Sequence, residues 1–275
     1  MSSPPEAASS INAIVRIATR DDVEAAATVL MRAFSNDPAM NWWGCVKREN
    51  EVTDCSSPSP SMVQTMERLL NFQRCLVKIT MLVGGIVTLA VLPSSDEKGE
   101  RVVAVSLWLK PGQTFDLPLT TVLKAGVWSV AMGWGIRGLK RLLVDFTPHV
   151  EDTLLKAYKA RNIDRLDSWH LLEVVVDPDW QGKGMSSLLM KEGFARTSPK
   201  SVHLEATTVN NRDIYAHFGF EVEFIQGLFA QVYLSHAQID EEHLFGKGRV
   251  GRQGLAAKGT AATGYPEWVM TKWET

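Results

Sequence analysis

The 275-residue sequence predicts an α/β domain in which helices flank a mixed sheet. Three observations carry that expectation. Residues 171–176 are an apolar run of strand length, as in a central strand buried on both faces. A turn with two glycines, Gln181-Gly182-Lys183-Gly184, leads from that run into a helical pattern. Strand-like and helix-like periods alternate along the chain, with no repeat period.

The elements follow in order. Residues 1–10, rich in Ser, Pro and Ala, lack the basic-then-apolar order of a signal peptide and read as a disordered lead-in to a single domain spanning 11–275. A first strand is expected at 13–18. Thr19, Asp21 and Asp22 then signal a helix start, and Val23, Ala26, Ala27, Leu30, Met31 and Phe34 recur at helical spacing until Pro38 stops the pattern. Residues 54–60 read as a loop. A second helix, 61–77, lines up Met62, Met66, Leu69, Leu70 and Gln73. The longest apolar stretch, 79–92, is too short for a membrane span of roughly 20 residues and reads as a strand. It pairs with 101–109 as a hairpin around the polar turn 93–100. Residues 117–163 form a mostly helical insertion in which Val122, Leu123, Val127, Val130 and Trp134 make an apolar stripe, with Lys124, Arg137, Lys140 and Arg141 nearby. Core packing is the expected use of that stripe, and a membrane interface the alternative. After the turn come a helix at 186–196, a strand at 202–207, a short helix at 211–217 closed by Gly219, and a strand at 220–234. The six glycines of 246–264 suggest a mobile loop, and 267–273 a last strand.

Composition removes several function classes. Apolar residues make up 45%, enough for a real core, and charged residues 22% with a net charge of −2. No basic arm is present, so nucleic acid is not an expected partner. Cys45, Cys55 and Cys75 are odd in number and lack metal-type spacing. They read as reduced thiols of a cytoplasmic protein without a metal site.

The turn carries the chemistry. A strand that runs through a glycine turn into a helix points backbone N–H groups and a positive helix end at one place, which suits a phosphate or diphosphate. Gly182 and Gly184 would allow close backbone approach and Lys183 adds a cation. A Walker A loop fails here, because Asp177 and Gly184 occupy positions that need Gly and Ser or Thr. A dinucleotide fingerprint fails at Ser187.

Gln181-Gly182-Lys183-Gly184-Met185-Ser186 resembles the hallmark of the GCN5-related N-acetyltransferase (GNAT) superfamily: Gln or Arg, two residues, Gly, one residue, Gly or Ala. Ser186 departs from it with a residue that is still small. Leu204-Glu205-Ala206-Thr207, followed by Asn211, Tyr215 and Gly219-Phe220, is the second match. The resemblance implies a mostly antiparallel mixed sheet of six to seven strands, splayed at the central strand. It implies acetyl-CoA as cosubstrate, bound by Val174, Val175, Val176, Gln181, Gly182, Lys183, Gly184, Met185, Ser186, Asn211 and Tyr215. The implied reaction moves acetyl directly from the thioester to a small amine in a ternary complex. A silent acyl-CoA-binding module is the alternative, since Leu172 and Ser186 depart from common patterns.

A lysine-like ammonium, which ordinarily titrates at about 10.4, must lose its proton before attack, at a cost of roughly 4–5 kcal/mol at pH 7. The oxyanion needs a donor, which the resemblance places on a backbone N–H within 174–176. Four side chains compete for proton transfer. Tyr215 matches the residue that protonates the thiolate in the family. His170 matches the first histidine of the arylalkylamine N-acetyltransferase pattern, whose second falls on Leu172. Glu173 is the one charge in an apolar strand and must find a partner, reach a cleft or hold its proton. Strict alternation puts it on the face opposite His170, unless the bulge expected in this family intervenes. Glu205 could receive the amine. An apolar, Trp-bearing insertion would favour a small hydrophobic amine over a peptide.

Overall fold

The computed structural model describes residues 12–47, 59–94, 99–114, 117–223 and 243–274. The 1–10 lead-in, Cys55 and all but the first residues of the 220–234 strand lie outside them. Strand β1 (Ile14–Ile17) leads through a 3-10 turn to helix α1 (Val23–Ala33), whose Val23, Ala26, Val29 and Leu30 are buried. The capping box is as the sequence suggests: Asp22 accepts from the Thr19 backbone and pairs with Arg16. Pro38 does more than stop a helix. It opens a second one, α2 (Pro38–Trp43), at a position where its missing N–H leaves no bond unmade, while Asp37 accepts from the N–H groups of Ala39 and Met40.

Helix α3 (Pro60–Leu82) is longer than expected. Residues 80–82 are helical, not strand, because Ile79 and Thr80 extend the buried row of Leu69, Phe72, Gln73 and Leu76 by one more turn. Gly84, at φ 82°, ends it. The hairpin is therefore β2 (Ile86–Pro93) and β3 (Glu100–Leu109). The insertion is helical throughout: α4 (Leu119–Ala125), α5 (Val127–Lys140), a π turn (Arg141–Phe146) and α6 (Thr147–Ala160). Val130 and Trp134 join the core, with Trp134 stacked on Phe72 at 4.3 Å and beside Trp43. Leu123, expected in the same stripe, is 67% exposed. Among the described residues no helix is long and apolar enough to cross a membrane.

Next come β4 (Trp169–Val176), α7 (Met185–Thr197), β5 (Val202–Ala206), α8 (Val209–His217) and β6 (Glu221–Val222). The described chain ends with β7 (His243–Phe245) and β8 (Tyr265–Lys272). The described strands make an eight-stranded sheet in the order β1-β2-β3-β4-β5-β8-β6, with β7 also pairing to β8. Only β4 and β5 are parallel. Helices α1 and α3 cover one face of β2–β4, and α7 the other. The 246–264 stretch, expected to be mobile, is a folded loop. Val250 and Ala262 are buried, Asn41 donates to the Gln253 carbonyl at 3.0 Å, and Gly254 lies so close to Pro38 that no Cβ would fit.

Candidate active site

The glycine turn follows directly on the central strand. After β4, Asp177 accepts from the Asp179 N–H and pairs with Arg32 at 2.8 Å, which ties the turn to α1. Gly182 and Gly184 have φ of 72° and 79°, the left-handed region that disfavours side chains. A Cβ at either would meet nothing within 4 Å, so the backbone path, not crowding by protein, requires glycine here. Gly184 is the N-cap of α7 and offers no side-chain cap, leaving the helix's first N–H groups for another acceptor. Gln181 and Lys183 are exposed; Lys183 folds back onto the Asp179 carbonyl at 2.9 Å and over the Trp180 ring. Met185 is buried under the sheet, and Ser186 begins the exposed side of α7.

Strands β4 and β5 pair only through Trp169↔Val202 and His170↔His203. Beyond His170 they part, as the resemblance implied. The N–H of Asp177 donates to the Val103 carbonyl, so by ladder alternation Val175 also directs its backbone at β3. Val174 and Val176 direct theirs into the gap; the Val176 carbonyl accepts from the Gln181 side chain at 3.3 Å. Asn211 lies in the first turn of α8, whose cap is Thr208.

A bulge decides which side chains meet. Leu107 opposes Glu173 and Trp108 opposes Leu171, leaving Leu172 without a partner of its own. Leu171 and Val174, three residues apart, both face α7. Glu173 and Val175 face α3 and α1. His170 consequently shares the Glu173 face, which strict alternation would forbid. Its Nε2 lies 3.0 Å from Glu205 Oε2, and its ring stacks on His203 at 4.4 Å. Glu205 alternates with Leu204 and Ala206, which face α7, and so turns to the same side as His170.

Glu173 is 7% exposed, and its Oε1 accepts from Gln73 at 3.1 Å while Oε2 has no protein partner. Burial, eased by the Gln73 bond and reinforced by the charge of Asp37, pushes its carboxyl up to about 8. Part of Tyr215 reaches solvent, yet burial around its hydroxyl, followed by the charges of Asp37, Glu205 and Glu173, raises the phenol above its usual range. His170, Glu173 and Glu205 therefore share one face of the sheet, whereas the Tyr215 ring packs against the Leu171–Leu204 cluster.

Three neighbours lie outside the set expected to move protons. Asp37 accepts from Thr207 Oγ1 at 2.6 Å, and its carboxyl is raised first by burial. Gln73 is the lone amide on an apolar helix face. Glu267 is 2% exposed within β8, with neither oxygen partnered among the described residues. Burial, then Glu205 and Asp37, hold it well above the carboxylate range.

The family model of the acetyltransferase (GNAT) domain matches residues 152–222, which run from α6 through the central strand, the turn and α8. An uncharacterized N-acetyltransferase of Schizosaccharomyces pombe is 33% identical over 118 residues, covering 42% of this chain. That match spans about half (46%) of the relative's length. A solved structure from Corynebacterium glutamicum, described as a histone acetyltransferase HPA2 and related acetyltransferase, superposes with a TM-score of 0.51 at 19% identity, over 96% of this chain and 97% of the other. The segment that holds the glycine turn thus matches the acetyltransferase (GNAT) domain, and the fold is shared over nearly the whole length with the solved Corynebacterium glutamicum structure.

Proposed function

We propose that the chain, as one domain over 11–275, is an acetyl-CoA-dependent N-acetyltransferase that passes acetyl directly to a small amine in a ternary complex. The observation that carries this reading is the gap between β4 and β5, with the open glycine turn at one end and the buried carboxyl groups along its wall. The turn from Gln181 to Ser186 suits the diphosphate of coenzyme A. Asn211 suits its arm, and the inward backbone of Val174 and Val176 can pair with the arm's amides. The Val174 N–H would also donate to the oxyanion.

In this reading Glu173 collects the amine proton, directly or through water. A carboxyl at about 8 is ionised in a useful fraction near neutral pH and is more basic than an ordinary one. The freed nitrogen forms the N–C bond, the C–S bond breaks as the departing thiolate takes the Tyr215 proton, and the nitrogen's second proton restores the tyrosinate, directly or through water. Glu205, bound to His170, steers the ammonium. That hydrogen bond also favours a second reading in which His170 is the base, its imidazolium steadied by Glu205.

Thiol release from acetyl-CoA, followed across polyamines, arylalkylamines, amino acids, aminoglycosides and a histone-tail peptide, tests the proposal. Tyr215→Phe should lower kcat about a hundredfold with coenzyme affinity retained. Coenzyme binding without thiol release for any amine would refute catalysis and leave only a binding module.

A further inference from the structure

We infer that the acceptor is a diamine or polyamine, and that its distal ammonium is received by Glu267 and Asp37 beside the Trp42–Tyr265 aromatic wall; this rests on the acetyl-transfer reading above. Glu205 pairs across the sheet with Val269, which places Glu267 two residues along on the same face. Diagonal neighbours of this kind are about 7–8 Å apart, a span a short diamine can bridge. Thr207 follows the last paired residue of β5 and donates to Asp37, which brings that carboxyl to the same end. Trp42 stands 5.7 Å from Tyr265 and 5.4 Å from Phe245 (ring centroids), with the Arg141 guanidinium over one side of its ring, so this wall already accepts a cation.

The unmet bonds point to a ligand. The Tyr265 hydroxyl, 0% exposed, and both Glu267 oxygens have no protein partner, nor do Trp42 Nε1, one oxygen of Glu173 and one of Glu205. Buried groups of this kind are normally satisfied. Among the described residues no lysine or arginine forms an ion pair with Asp37, Glu173, Glu205 or Glu267. Two buried acids, Glu173 and Glu267, with half-buried Asp37 and Glu205 beside them, cost several kcal/mol if ionised without a cation. One ammonium at Glu173 and Glu205 would leave Glu267 unanswered. A metal ion does not fit either, since among the described residues no three His, Cys, Asp or Glu converge closely enough to hold one. Two linked ammonium groups answer both ends. Of the insertion's tryptophans, Trp134 is taken up in the core whereas Trp128 is exposed.

Titration calorimetry on the full chain with putrescine and n-butylamine, in two buffers of different ionisation enthalpy, tests the inference. Putrescine should bind about tenfold or more tightly than n-butylamine and should release protons as the acids ionise against it. Glu267→Gln should cut putrescine affinity about tenfold and leave n-butylamine within about twofold. Equal affinities in the native protein would overturn the inference, as would an equal loss of both amines in E267Q. So would no putrescine binding by protein that still binds coenzyme A. If E267Q does not fold, Tyr265→Phe takes its place with the same expected contrast between the two amines. Putrescine binding without thiol release would sink the transfer reading alone. Equally fast acetylation of both amines would sink only the second-cation site.

Discussion

Glu173→Gln should make the protein more stable at high pH and less active at every pH. The carboxyl rises from 4.5 to about 8 on folding, chiefly through burial. A shift of about 3.5 units, at 1.36 kcal/mol each, corresponds to roughly 5 kcal/mol of stability lost once the group is ionised. The sign follows from the raised value. Below pH 4.5 the acid is protonated in both states and costs nothing; the penalty grows as pH rises toward 8 and is constant above it. Glutamine keeps the shape and can still accept from Gln73, so the variant should match native stability near pH 4 and exceed it by up to roughly 5 kcal/mol at pH 9. Denaturant unfolding at four or five pH values, with and without the substitution, measures the difference directly. Parallel stability curves would refute a raised carboxyl at this site. The rate of thiol release in the native protein should climb with pH and level off above about 8, and E173Q should lose about a hundredfold in kcat together with that limb. An unchanged limb in E173Q would move the base to His170.

Two further substitutions probe the frame. Gly184→Asp sets a negative side chain at the N-cap of α7, where a diphosphate is expected, at a φ of 79° that aspartate tolerates. Coenzyme A affinity should fall about a hundredfold by calorimetry with little change in melting temperature, whereas unchanged affinity would show that the turn is not the diphosphate site. Gly193→Ala drives a Cβ to 2.3 Å from the Trp108 ring, and should destabilise the fold by about 1–3 kcal/mol in urea unfolding.

Much of the frame was legible because its signals are local. The turn is written in contiguous residues, Gln181 to Ser186, and the left-handed φ at Gly182 and Gly184 is what two glycines in that setting announce. The Asp22 cap, the insertion's helices and the β2–β3 hairpin likewise follow from short-range pattern. The misread boundaries lie where local cues conflict. Apolar residues 79–82 suit a helix or a strand, and the packing of α3 against α1 decided for helix. Pro38 can end a helix or begin one, and the Asp37 cap decided for the second.

The sequence by itself determined that a buried strand enters a glycine turn and that an acid, Glu173, is trapped inside that strand. Only tertiary structure decided what the acid meets. One unpaired residue, Leu172, rotates His170 onto its face, and β8 carries Glu267 there from about a hundred positions away. Sheet faces alternate by residue, so a single bulge reassigns every side chain beyond it, and no local period records where the bulge falls. Partners joined by long-range pairing leave no trace in spacing. The acidic end of the gap, which bears most on the choice of acceptor, is therefore a property of the fold.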